Sequence, residues 1–269
     1  MDNELIKLDR QEAVTVVTLN RPEALNALST ELRNSISSTF DLLAQDAQTQ
    51  VIVLTGAGRA FSVGLDLKEL GGEIDKKEKA LARDVELSIA EVGKPVIGAV
   101  NGFAITGGFE LALMCDFLIA TPSAKFADTH ARVGVVPGWG LSQKLPRLIG
   151  INRAKELSLT GNFLDAETAM KWGLVNRVVE EKALISVCVG LGSGHCLYRT
   201  SYTIRDKKDH GLRLALYARR WTAMGKGSKP KSFKETQTRK RGRCSKAQYS
   251  SQRALTGRRM ILLTLKLLT

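Results

Sequence analysis

Three short apolar runs constrain the fold of this chain more than any other feature. "VIVLTG" (Val51 to Gly56), "KPVIGAVNG" (Lys94 to Gly102) and "FLIAT" (Phe117 to Thr121) are continuous rather than alternating. Such runs suit strands covered on both faces. Upstream, "LIKLDRQEAVTVVTLNRP" reads as two strands joined by a polar turn and closed by Pro22. In it Val14, Val16 and Thr18 alternate with Thr15, Val17 and Leu19. Ser29 is placed to cap a helix whose buried face carries Leu32, Ile36, Phe40 and Leu43. "GRAFSVGLDLKEL" reads as a glycine-containing loop, with polar, helix-compatible sequence continuing to about Val92. "KFAD" reads as a short strand and "LVNRVV" as another. "GLSQKLPRLIG" and "NRAKELSLTG" read as helical, with a break or turn at Pro146, and "DAETAMKWG" as a helix closed by Gly173. Strands alternating with helices imply an α/β layered fold. No internal repeat of fixed period is visible.

At 43% hydrophobic residues the 269-residue chain can bury a sizeable core. No apolar stretch is long enough to span a bilayer, and the charged start "MDNELIKLDR" is unlike a secretory signal. Cys115, Cys188, Cys196 and Cys244 lack C-x-x-C spacing, which points to free thiols and away from a zinc site. The net charge of +13 is unevenly spread. About half of the 40 Lys and Arg follow Ala183, against only three of the 27 Asp and Glu. The first 183 residues are therefore slightly acidic and the remainder strongly basic. This divides the chain into a core over 1–183 and a distinct region over 184–269. From Ile185 onward no sustained period is apparent, and "GKGSKPKSFKETQTRKRGRCSKAQYSSQ" has a disorder composition.

Within the core, "NGFAITGGFELALMCDF" holds one conspicuous charge. Glu110 is the only ionisable residue between Lys94 and Asp116 apart from Cys115. If a helix starts near Gly107, Glu110 lies in its first turn and shares a face with Leu113 and Met114. A carboxylate there must be paired or hydrogen-bonded. Two readings fit: a structural Glu satisfied by nearby backbone N–H groups, or a base beside a ligand. The preceding glycines let a ligand approach the free amides of a helix start, although glycines also serve packing alone.

"LNRPEALNALS", "GRAFSVGLDLKEL", "KPVIGAVNGFAITGGFELALMCDF" and "GVVPGWGLSQKLPRLIG…LTG…A…A…WGLVNRVV" together resemble the crotonase (enoyl-CoA hydratase/isomerase) family, plant-type peroxisomal hydratases above all. The resemblance covers about residues 5–180. It implies a crotonase (ClpP-like) α/β fold of repeated β-β-α units and an acyl-CoA substrate. It implies that the amides of Leu65 and Gly107 hold a thioester oxyanion. It places Ala24, Leu25, Val63, Gly64, Asp66, Leu67 and Lys68 against coenzyme A. Glu23 stands where relatives often carry a basic residue. No metal or separate cofactor is implied, coenzyme A being part of the substrate.

Hydratases of this family set two glutamates around one water. Glu110 matches one; His130 stands at the other. Asp128, two residues away, would share its face if the segment is extended and would orient the ring. A His with the ordinary pKa of about 6.5 serves as acid or base at neutral pH. The alternatives are a space-filling His130, with Glu110 working alone, or an Asp128–His130 pair facing solvent. The change argues against positional isomerases, which need an acid at the second place. The implied reaction is hydration of a trans-2-enoyl-CoA to a 3-hydroxyacyl-CoA.

Relatives continue with helices that close the acyl pocket and build a homotrimer or a dimer of trimers, for which the basic region offers no match. Its charge leaves a second class open, a crotonase-fold protein of impaired activity that binds RNA or an anionic surface. Tyr202, Tyr217, Trp221, Phe233 and Tyr249 are too scattered for a stacking platform. A non-productive variant is the third possibility. Kinship suggests peroxisomal residence, whereas "KLLT" is not a Ser-Lys-Leu-like signal, which leaves the cytoplasm as the other expectation.

Overall fold

The computed structural model of the protein describes residues 5–71 and 84–196. Two sheets organise it. The larger has strand order β1-β2-β3-β5-β7-β10 and the smaller β4-β6-β8-β9. In the larger sheet β1 (Ile6–Gln11) pairs antiparallel with β2 (Val14–Leu19). β3 (Val51–Gly56), β5 (Val96–Val100), β7 (Phe117–Ala120) and β10 (Arg177–Val178) then run parallel to β2. Every residue of β3 and β5 is buried, as their unbroken apolar sequence requires.

The smaller sheet is built from very short strands, of which only the one in "KFAD" was read from the sequence. β4 (Ala60–Ser62), β6 (Phe103–Ile105) and β8 (Lys125–Ala127) have three residues each, and β9 (Leu164–Asp165) has two. β4 lies within the stretch read as a loop, and β6 lies between the "KPVIGAVNG" run and the helix start, where no strand was read. β4, β6 and β8 are parallel neighbours. Each follows a strand of the large sheet and precedes a helix: α2 (Leu67–Gly71), α4 (Gly107–Ala112) and α5 (His130–Val133). This is a β-β-α unit used three times. Because the three short strands lie side by side, the residues leaving their ends are brought together. That places Leu65, Gly107 and His130 in one region.

Other helices follow their sequence signals. α1 (Thr30–Gln45) is capped by the Ser29 hydroxyl, which accepts the Leu32 amide at 3.2 Å, and it buries Leu32, Ile36, Phe40 and Leu43. α3 (Val85–Glu91) packs on α1. α6 (Leu141–Ile149) contains Pro146 without ending there. Its buried face is Leu141, Leu145 and Ile149, while Ser142, whose carbonyl loses its helical donor to the proline, is exposed. α7 (Ile151–Thr160) and α8 (Ala166–Lys171) complete the layer, α8 capped by the Asp165 carboxylate on the Thr168 amide.

The aperiodic reading of the chain just after Ala183 is corrected by α9 (Leu184–Cys196). Leu184 and Cys188 are buried against Val14, Val16, Val51, Val53, Ile97, Ala99 and Ile119 on one face of the large sheet. Gly192 continues that face: a Cβ there would lie 2.9 Å from a methyl of Val14. The spacing is helical, but its contact residues include a thiol and a glycine, which a hydrophobic period does not register. No described helix is long and apolar enough to cross a membrane. The readings made for residues 197–269, disorder composition and basic partner surface included, lie outside the described residues.

Candidate active site

The site forms where β4, β6 and β8 end. Gly64 follows β4 with φ of +90°, a conformation that disfavours a side chain. A Cβ on it would sit 2.9 Å from both the Gly107 nitrogen and the Ile105 oxygen. One added carbon would therefore force the two segments apart. A point one bond out from the Gly107 Cα lies 3.3 Å from the Gly64 Cα and 3.4 Å from the Leu65 nitrogen. The backbones at Leu65 and Gly107 thus converge on one point, which we call the hollow between them. Neither amide donates a hydrogen bond among the described residues. The Leu65 segment is fixed from behind, where the Leu28 amide donates to the Gly64 oxygen at 2.8 Å and the Asp66 amide to the Leu28 oxygen at 3.4 Å.

The start of α4 is held by strain as well as packing. Thr106, its N-cap, has φ of 55° and ψ of −113°, unfavourable for a β-branched residue and worth about 1–3 kcal/mol. The conformation persists because the Thr106 amide donates to the Ala127 oxygen at 2.8 Å and its hydroxyl bonds that of Thr129. Gly108 permits the close approach, since a Cβ there would fall 2.0 Å from the Ser62 oxygen. Thr106 had no sequence signal of its own.

Glu110, 3% exposed, satisfies both oxygens. Oε1 accepts the amides of Trp139 at 2.8 Å and Leu141 at 3.3 Å, at the start of α6. Oε2 lies 3.4 Å from His130 Nε2. Backbone amides thus hold Oε1, as the structural reading of this residue expects, while Oε2 faces the His130 imidazole. The amides come from a segment about 30 residues away, so no local pattern announced them.

His130 opens α5 rather than lying in an extended segment. Its pairing with Asp128 arises from a turn: Asp128 Oδ1 accepts the His130 amide at 3.2 Å and contacts Nδ1 at 2.6 Å. Both residues are buried, which excludes the solvent-facing alternative. Burial alone would lower the His130 pKa. Hydrogen bonds and negative charge from Asp128 and Glu110 outweigh it and push the ring up to about 9. For Asp128, burial acts upward, but the His130 ring, the Ser158 hydroxyl, the His130 amide and the imidazolium charge hold it below the usual carboxylate range. The flanking Asp128 and Glu110 oxygens thereby favour the protonated ring.

The residues expected against coenzyme A form two facing turns. Pro22–Ala24 makes a single 3-10 turn, and Leu25 and Asn26 follow with φ of 51° and 54°. The Val63 amide donates to the Leu25 oxygen at 3.2 Å, joining Ala24 and Leu25 to Val63 and Gly64. Asp66 is engaged internally. It receives Arg21 Nη1 at 2.6 Å and the Lys68 amide at 2.9 Å, tying the two turns together. Leu67, Lys68 and Glu23 are exposed beside them.

The sequence model of the enoyl-CoA hydratase/isomerase family matches residues 9–194. The chain is 40% identical over 255 residues to the probable peroxisomal enoyl-CoA hydratase 1 of Arabidopsis thaliana, covering 91% of this chain and 96% of that protein. That alignment extends well past the residues 5–180 that carry the sequence motifs. It is 38% identical over 189 residues to the crotonyl-CoA hydratase of Syntrophomonas wolfei, covering 69% of this chain and 73% of that one. Among solved structures, the enoyl-CoA hydratase of Mycobacterium tuberculosis H37Rv superposes with a TM-score of 0.68 at 38% identity, covering 83% and 94% of the two chains. With its β-β-α units, its two converging turns and this match along most of its length, the chain belongs to the enoyl-CoA hydratase/isomerase family.

Proposed function

We propose that this protein is an enoyl-CoA hydratase, adding water across the 2,3 double bond of a trans-2-enoyl-CoA in fatty-acid β-oxidation. The observation that carries this reading is the pair of amides, Leu65 and Gly107, that have no partner among the described residues and converge on one point, with Glu110 one turn further along α4. The thioester oxygen binds at the two amides, which are aimed at the charge that develops as the enolate forms. Each such donor is worth about 10²–10³-fold in rate. Glu110 Oε2 takes a proton from water as the water oxygen bonds C3. Oε1 stays anchored by the Trp139 and Leu141 amides. The electron pair of the double bond moves onto the thioester oxygen as an enolate. The enolate collapses as C2 takes a proton from His130 Nε2, giving the 3-hydroxyacyl-CoA. The proton on Glu110 then returns to His130, so the site is restored.

The two turns at 22–25 and 63–68 hold the coenzyme A portion, with Lys68 as the exposed cation. Assembly as a homotrimer or a dimer of trimers and residence in the peroxisome, the compartment named for the Arabidopsis relative, belong to the same proposal. Light scattering of the purified chain checks the first and imaging of the tagged full-length chain the second.

The decisive assay is hydration of crotonyl-CoA, followed by loss of the enoyl-thioester absorbance. Glu110→Gln should lower kcat by at least about 10²-fold while retaining binding of the saturated ester butyryl-CoA. A Gln variant that turns over normally removes Glu110 from the reaction.

A further inference from the structure

Trp139 meets both halves of the site, by its amide at Glu110 and by its ring near Gly107, and the ring has no role in the mechanism above. It sits between Gly138 and Gly140, in the segment from α5 to α6. Its ring is packed against the main core although Val135 and Val136 nearby are exposed. Its amide donates to Glu110 Oε1 at 2.8 Å. Its ring atom Cζ3 lies 3.6 Å from the point one bond out from the Gly107 Cα, the point that also lies 3.4 Å from the Leu65 nitrogen. An atom in the hollow between the two amides is therefore already in van der Waals contact with the indole.

We propose that Trp139 is a specificity-determining residue that walls the C2 side of the bound thioester and selects acyl groups unsubstituted at C2. The proposal rests on the hydratase reading. With the thioester oxygen at the amides and C3 beside Glu110, C1 and C2 are the atoms between them. Trp139 spans the same gap, its amide at the carboxylate and its ring at the hollow. With an atom at that point already in contact with the ring, a methyl group added on the indole side of the thioester meets the ring. A close-packed wall gives way poorly to one added carbon.

The test compares kcat/KM for crotonyl-CoA and 2-methylcrotonyl-CoA, which differ by one methyl group at C2. Such a group is worth about 10- to 200-fold in a shaped pocket. The unaltered full chain should prefer crotonyl-CoA by at least about tenfold. Trp139→Ala should cut that preference to below about threefold, with Trp139→Phe between them. Equal rates for the unaltered chain, or a ratio unmoved in the Ala variant, overturn the proposal. If neither ester is hydrated, the hydratase reading fails, and the wall is still tested by binding. In a full chain carrying Trp172→Phe and Trp221→Phe, Trp139 is the sole remaining tryptophan. Butyryl-CoA should shift its fluorescence, and 2-methylbutyryl-CoA should bind at least about tenfold more weakly. An unshifted emission at saturation, or equal affinities, overturns it.

Discussion

Asp128 Oδ1 holds His130 twice, at the backbone amide (3.2 Å) and at ring Nδ1 (2.6 Å). A single carboxylate oxygen thus fixes both the start of α5 and the direction of the ring, whose Nε2 is left facing Glu110. Removing the ring removes the proposed proton donor to C2. His130→Gln, measured by steady-state hydration of crotonyl-CoA, should lower kcat by about 10²–10⁴-fold, with KM changing much less. An equal loss in a variant that no longer binds butyryl-CoA would point to structure rather than proton transfer.

The same contacts set a pH dependence. The folded His130 pKa, about 9, lies above the ordinary 6.5. Protonation is therefore favoured by folding. The corresponding stability is fully present below pH about 6.5 and is lost as pH rises toward and through about 9. The rate should follow, with an alkaline limb where the imidazolium deprotonates. Asp128→Asn replaces one of the two carboxylates, so that limb should move to lower pH, by about 1–3 units for the loss of one close opposite charge. The kcat/KM profile between pH 6 and 10 measures it. An alkaline limb in the same place for both proteins would show that another group controls it.

Gly64 tests the hollow from its other wall. Gly64→Ala places a carbon 2.9 Å from the Gly107 nitrogen at a φ of +90°, so the two amides must separate. The expected loss in kcat/KM is about 10²–10³-fold, the value of one oxyanion donor. Circular dichroism should remain that of the parent, because the segment is exposed to strain only locally. Activity within threefold of the parent would mean that the amides do not act together.

The long strands and α1 were legible in the sequence because each is specified within itself, by apolar runs, a Ser cap or a four-residue stripe. Most of the small sheet was not: "KFAD" gave β8, but β4 and β6, of three residues each, and β9, of two, show no period. Their burial comes from neighbours distant in sequence. The chemistry divides similarly. Glu110 stood out as an isolated charge, but the amides of Trp139 and Leu141 that anchor it carry no side-chain signature. The strain at Thr106 was equally silent. His130 was visible only through resemblance. Its charge state could not be read without knowing that two carboxylates flank a buried ring.

The helix after Ala183 gives the last prediction. α9 lies on the face of the large sheet with Leu184 (2% exposed) and Cys188 (fully buried) among valines of β2 and β3. The thiol is in apolar surroundings, and burial pushes its pKa up to about 12, so it is a packing group rather than a nucleophile. If α9 completes the core, truncating Leu184 opens a cavity beneath it. Leu184→Ala should then destabilise the protein by about 2–5 kcal/mol, read as a lower urea midpoint. A helix resting loosely on the sheet would give less than about 1 kcal/mol, the level of an ordinary surface substitution. Since α9 packs on β2, β3, β5 and β7 of the large sheet, the loss should appear in stability first. The kcat of the variant that remains folded should stay within about twofold of the parent, because Leu184 supplies no group to the proposed reaction and packs on the large sheet.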